Sequence, residues 1–147
     1  MPDDDKNNSE AKDFINLGVV RNEAGEILMV RRLNPEKGKN ESTLGWAFPG
    51  GKQRFKESRE QCVKREVLDE TGYDIVPTRQ LSLRMHPQFP VMIVYHLCEL
   101  ASQKPVAEPK EPHEIAEVKW VESKEVKNLI TSDLDPKVSR ELGLNNK

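Results

Sequence analysis

The sequence has little of what braces or addresses many small secreted domains. Only two of its 147 residues are cysteine, Cys62 and Cys98, and no CxxC pair occurs. Neither a disulfide framework nor a zinc knuckle is therefore indicated. No apolar run approaches the ~18 residues of a membrane span. The opening MPDDDKNNSEAKD lacks the basic-then-apolar order of a secretory signal. A charge excess of one sign is missing too: 23 basic and 25 acidic side chains give a formal charge of −2. A generally basic nucleic-acid binder is excluded by that balance. These absences lead us to expect a cytoplasmic protein in a reducing compartment, partnered by neither nucleic acid nor membrane.

The length suits one domain with one core. Residues 1–13 hold five acids and two lysines, a net −3, and read as a disordered acidic tail. Residues 14–147 remain as a single domain close to charge balance. Short β-branched bursts at Phe14–Val20 and Ile27–Val30, joined by Asn22-Glu23-Ala24-Gly25, suggest a hairpin. Glu57 to about Thr71 is free of Pro and Gly and ends at Gly72, the pattern of a helix. Leu81–Met85, Val91–Leu100 and Ile115–Val121 read as strands. Short helices follow at Lys124–Ile130 and after Asp135-Pro136, the last stopping at Gly143. This order of elements indicates an α+β or layered α/β domain.

Chemistry concentrates in Gly51–Tyr73, GKQRFKESREQCVKREVLDETGY. On a helix, Glu66, Asp69 and Glu70 project within roughly 100° of one another. At ~5 Å and an effective dielectric of ~20, each like-charged pair repels by about 3 kcal/mol. Val63 and Val67 share nearly the same side, so the acids border the packed face and cannot all splay into water. Such a stripe is elsewhere often a solvated face, and Lys64 and Arg65 are at hand to pair it. The upstream loop argues for more. Gly50-Gly51 can bring backbone close to a ligand, and Lys52, Arg54 and Lys56 surround it with positive charge. A glycine turn, a basic collar and an acidic helix make a place for phosphates bridged by a hard cation such as Mg²⁺.

The same segment resembles the signature of the Nudix (MutT-like) hydrolases, G-x5-E-x7-R-E-U-x-E-E-x-G-U, with U a bulky apolar residue. Gly51, Glu57 and Arg65-Glu66-Val67-Leu68-Asp69-Glu70-Thr71-Gly72-Tyr73 fall at its positions. Trp46-Ala47-Phe48-Pro49-Gly50-Gly51 and the later EIAEVKWV extend the likeness over about residues 14–131. One departure is visible: Asp69 stands where the pattern has Glu, with a shorter arm but still a carboxylate.

The resemblance implies an α/β/α sandwich with a mixed sheet, and Mg²⁺-dependent hydrolysis (Mn²⁺ as a substitute) of a nucleoside diphosphate joined to another group. It implies Glu66 and Glu70 as main metal ligands and catalytic groups, with Asp69 beside them and the carbonyl of Gly50 or Gly51 as a further ligand. Glu114 would be an additional metal-binding or base glutamate, with Glu108, Glu111 and Glu117 as neighbouring competitors. Glu57 and Arg65 would be structural support. The partner would be a small nucleotide-type substrate, such as an unwanted (d)NTP, ADP-ribose or a dinucleoside polyphosphate; a homodimer is a further expectation. An isopentenyl-diphosphate isomerase needs a reactive cysteine that neither Cys62 nor Cys98 supplies convincingly. A non-catalytic nucleotide sensor would be expected to lose signature acids that are present here.

Lys52 and Arg54 join Arg31 and Arg32 as candidate substrate-binding cations. The two arginines end a strand, so one should face each side of the sheet and one of them the phosphates. Trp46 and Phe48 alternate toward one side and read as core, with a stacking surface for a base as the alternative; Trp120 reads as core. His86, His96 and His113 lack metal-ligand spacing and read as structural or surface groups, Cys62 and Cys98 as buried fillers, and Pro87 and Pro90 as loop residues. The loops 34–45 and 101–113 are expected to shape the substrate pockets.

Overall fold

A computed structural model describes residues 13–32, 45–86, 89–110, 115–130 and 134–144. Strands β1 (Phe14–Arg21), β2 (Ile27–Arg32), β3 (Trp46–Ala47) and β4 (Gly50–Lys52) precede helix α1 (Arg59–Thr71). Strands β5 (Ile75–Met85), β6 (Met92–Leu100) and β7 (Ile115–Val121) follow. A 3₁₀ turn (Ser123–Glu125) then runs into α2 (Val126–Leu129), and α3 (Pro136–Glu141) comes last. Among these residues no helix is long and apolar enough to cross a membrane.

β1 is the axis of a seven-stranded mixed sheet with main order β3-β2-β1-β6-β5. It pairs in parallel with β6 along its whole length, from Phe14↔Met92 to Arg21↔Glu99. On its other side it takes β4 antiparallel, Ile15↔Lys52 to Leu17↔Gly50. A strand so flanked is buried on both faces, and Val19 and Val20 have no exposed surface. The expected hairpin turn forms: the Asn22 side-chain oxygen accepts from the Ala24 and Glu26 amides at 3.0 and 2.9 Å. The two strands then part after Arg21↔Ile27. β2 leaves to pair with β7, and β4 takes the vacated edge of β1. That substitution carries the glycine turn into the middle of the sheet.

The long helix begins two residues later than the sequence pattern suggested. Ser58 is its N-cap: its hydroxyl accepts from the Gln61 amide at 3.0 Å, and its own amide donates to the Gln61 side chain at 2.8 Å. This reciprocal capping box leaves Glu57 in the preceding turn. Gly72, at φ +82°, ends the helix as expected. β5 starts six residues earlier than expected, at Ile75. Its first half is polar and contains Pro77, which an edge strand with register shifts at 77/79 and 80/82 tolerates.

Two apolar layers clasp the sheet. Val63 and Val67 of α1 pack with Val20, Leu28, Ile75 and Cys98 on one face; full burial of each valine is worth ~1.5–3 kcal/mol. On the other, Val126 of α2 and Val138 of α3 cover Val19, Ile27, Met29 and Phe48. Asp135 caps α3 by accepting from the Lys137 and Val138 amides. The result is the α/β/α sandwich with a mixed sheet.

Candidate active site

α1 brings Glu66 and Glu70, one turn apart, onto two consecutive glycines. A Cβ on Gly51 would stand 2.6–2.8 Å from the Glu66 carboxylate, closer than any side chain permits. At Gly50 the amide donates to Glu70 Oε1 at 3.2 Å. Gly50 has φ +154°, and a Cβ there would meet the Asn16 carbonyl at 2.1 Å. The β4–β1 register, Asn16↔Gly51 and Leu17↔Gly50, holds both glycines under the helix.

The two acids are compensated differently. Glu66 accepts from Arg65 Nη1 at 2.8 Å, and Arg65 also grips Glu57 through Nε (2.6 Å) and Nη2 (3.0 Å). This fork of charge-assisted bonds ties the turn before α1 to the helix. The hydrogen bond from Arg65 holds the Glu57 carboxyl below its ordinary value, outweighing burial. Glu70 is 4% exposed. Burial pushes its carboxyl up to about 7, against the pull of Arg32, the Gly50 amide hydrogen bond notwithstanding, and the Glu66 charge adds to the rise. Arg32 spans both Glu70 oxygens at 3.2 Å and reaches the Gly50 carbonyl at 3.3 Å.

That donor set fits a hard divalent cation. Two carboxylates and a peptide carbonyl are oxygen ligands of the kind Mg²⁺ takes, and the guanidinium of Arg32 already stands as a cation among three of those oxygens. The Gly50 carbonyl turns toward this group, whereas the Gly51 carbonyl faces the Cys62 thiol at 3.5 Å. Asp69 is not brought to the same point. Its carboxylate lies 3.7 Å from Lys110 Nζ, and its carbonyl accepts from the Lys110 amide. Among the described residues no three His, Cys, Asp or Glu side chains converge as a metal cluster. Glu114, Glu111, His113 and Pro87 lie outside the described residues, as does most of the 34–45 loop.

The remaining sequence candidates separate by location. Lys52, Arg54 and Lys56 are exposed around the glycine turn. The Lys52 carbonyl accepts from Arg65, and the Arg54 amide donates to Glu57. Arg31 and Arg32 do diverge: Arg32 faces Glu70, while Arg31 pairs with Glu117 at 3.4 Å and lies over the Trp46 ring. Loop 101–110 packs on the end of α1, its Val106 and Ala107 amides donating to the Gly72 carbonyl. Cys62 and Cys98 are buried, and burial raises both thiols to about 12, which keeps them protonated and inert. Trp120 packs on the α1-side core and donates to the Tyr73 hydroxyl at 3.1 Å.

On the sheet's other face is a cavity of about 320 Å³ lined by Leu17, Trp46, Phe48, Arg84, His86 and Tyr95, among others. Phe48 meets Tyr95 edge-to-face. Arg84 donates to the Tyr95 hydroxyl at 3.1 Å and lies 3.4 Å from Asp135. Leu17, which pairs with Gly50, places this cavity beside the glycine turn. Phe48 is core as expected, and both Trp46 and Phe48 also wall this cavity, where the stacking alternative would place them. Tyr95 and Arg84 carry no local sequence signal for this place: they meet through the β5–β6 pairing, whose register shifts between Gln80 and Ser82.

Comparison with known proteins agrees with the geometry. The NUDIX domain model matches residues 16–142. The chain is 32% identical over 77 residues to the 8-oxo-dGTP diphosphatase of Haemophilus influenzae, 52% of this chain and 53% of that protein. It is 34% identical over 68 residues to an RNA pyrophosphohydrolase of Pseudomonas aeruginosa, 46% of this chain and 38% of that protein. The matched stretch thus spans about half or less of those relatives. Among solved structures, the MutT protein of Methanosarcina mazei aligns with a TM-score of 0.60 at 26% identity, covering 88% of each chain.

Proposed function

The chain belongs to the NUDIX domain family, and from that premise we propose that it is a Mg²⁺-dependent pyrophosphohydrolase of nucleotide derivatives. One observation carries the reading: two carboxylates one helical turn apart rest on consecutive glycines, inside a collar of exposed cations. The relatives' names differ in substrate but share the diphosphate linkage, which supports the bond type and leaves the nucleoside open.

In this reading Glu66, Glu70 and the Gly50 carbonyl would hold the dication, with Gly51 leaving room for Glu66, Asp69 beside them on the helix and Glu114 as a further candidate ligand. When bound, the ion supplies positive charge that neutralises phosphate oxygens and lowers the pKa of water. The chain's own groups do the rest. Lys52 and Arg54 receive the phosphates, and Arg32 and Arg31 stand at the strand end behind them. A carboxylate among Glu66, Glu70 and Glu114 takes the proton of the attacking water, a role worth ~10²–10⁴-fold. The 320 Å³ cavity is of a size for a nucleobase, with Trp46, Phe48 and Tyr95 as aromatic walls.

The test is a panel of dNTPs, ADP-ribose, NADH and dinucleoside polyphosphates, assayed with Mg²⁺ or Mn²⁺ for released phosphate or pyrophosphate after any needed phosphatase step. At least one member should be cleaved, with activity lost to chelator and restored by metal. Failure to cleave any of them in the presence of either ion overturns the reading.

A further inference from the structure

A chain of amide hydrogen bonds runs from the buried centre of the sheet to the turn that carries Glu57. His96 of β6 is 1% exposed and Asn16 of β1 is fully buried. His96 Nε2 lies 2.8 Å from Asn16 Oδ1, Asn16 Nδ2 donates to Gln53 Oε1 at 3.0 Å, and Gln53 Nε2 donates to the Glu57 carbonyl at 2.8 Å. From Glu57 the contacts continue through Arg65 to Glu66. The polarity of the chain is set at its far end. A peptide carbonyl only accepts, so Gln53 must turn its NH₂ toward Glu57. Its oxygen then faces Asn16, whose own oxygen is left for His96, and the imidazole must carry its proton on Nε2. Reversing any one amide would set two acceptors or two donors face to face.

Buried polar groups are costly unless satisfied, and an apolar pair at positions 16 and 96 would fill this part of the core more simply. The amides instead end on the one turn whose position decides whether Glu57 can reach Arg65. Asn16 is also the register partner of Gly51, the residue against which Glu66 rests. We propose that Asn16, Gln53 and His96 are positioning residues: they fix the height of the 53–57 turn, so that Glu57 and Arg65 hold Glu66 at its metal-ligating position. This inference rests on the proposed metal-dependent activity.

The experiment measures Mn²⁺ binding by electron paramagnetic resonance, together with thermal unfolding and the Mg²⁺ dependence of turnover. Gln53 is half-buried, so Gln53→Met should fold while removing both of its bonds. We expect its Mn²⁺ dissociation constant to rise about 10- to 100-fold, as for other groups that orient ligands. Turnover should then be partly restored by excess Mg²⁺. His96→Gln keeps an N–H donor facing Asn16 and should bind Mn²⁺ as the parent does, whereas His96→Leu should weaken it as Gln53→Met does. A lowered unfolding midpoint with an unchanged Mn²⁺ constant in Gln53→Met and His96→Leu would reduce the three residues to packing and overturn the proposal. A parent protein that binds no Mn²⁺ and cleaves no diphosphate removes the activity reading itself, and this inference with it.

Discussion

Glu66 and Glu70 sit one turn apart on the same helix, yet they are held in different ways. Glu66 keeps 18% of its side chain exposed, is held by an arginine from its own helix, and is pressed against a glycine by a clamp that starts outside the helix. Glu70 is almost wholly buried, held by an arginine from a strand 38 positions away, and so desolvated that its carboxyl is pushed up to about 7. The first is held by an ion-pair clamp seated on a glycine of β4, the second by burial and a guanidinium from β2. Identical side chains at equivalent turns therefore report different parts of the fold.

The most severe break of this comparison is Glu70→Gln. It removes a proposed ligand and candidate base while keeping the shape, so turnover should fall by ~10²–10⁴-fold or more. The metal-free protein should unfold no more easily than the parent at neutral pH, because burial outweighs the pull of Arg32 and raises the folded carboxyl, so that the anion is disfavoured in the folded state. Unchanged turnover would strike Glu70 from the essential groups. Gly51→Ala attacks the other acid: its methyl would displace the Glu66 carboxylate, and metal affinity should drop about 10- to 100-fold with the fold intact. Isothermal calorimetry with Mg²⁺ or Mn²⁺ reads this directly.

Glu57→Gln sharpens the contrast through stability. Losing the charged partner of Arg65 should cost about 1.5–3 kcal/mol at neutral pH, read from urea unfolding. The Glu57 carboxyl is lowered in the folded protein, so its stabilisation is complete above its ordinary 4.5 and disappears as pH falls through the folded value. The parent and variant curves should converge in acid; a constant gap down to strongly acidic pH would contradict the assignment. The smallest effect belongs to Asp69→Asn. Its exposed partner Lys110 is 3.7 Å away, a pair worth under about 1 kcal/mol, so turnover should change less than about tenfold. A loss matching that of Glu70→Gln would place Asp69 with the inner ligands.

Local chemistry was legible in the sequence, and long-range chemistry was not. The signature helix, its stop at Gly72 and the Asp135-Pro136 start of α3 follow from nearest neighbours. Even the later start of α1 was written in Ser58-Arg59-Glu60-Gln61, a capping box overlooked because Glu57 is a good helix former. The early start of β5 was hidden by Pro77 and the polar Thr78-Arg79-Gln80, whose acceptance depends on the strand lying at an edge. No spacing rule could foresee that β4 would replace β2 beside β1, and it is this exchange that lays Gly50 and Gly51 beneath Glu70 and Glu66. The divergence of Arg31 and Arg32 was readable from strand alternation, but their engagement with Glu117 and Glu70 was not. His96 read as structural; its hydrogen-bonded link to Glu57 depends on the parallel pairing of β1 and β6.

The placement of Arg32 has one more consequence. A guanidinium tethered across Glu70 and the Gly50 carbonyl is a counter-ion that dilution cannot remove. Chelation accordingly exposes no bare anion pair that would pry the turn from the helix. The scaffold should therefore stay whole without a dication and accept one without first having to refold.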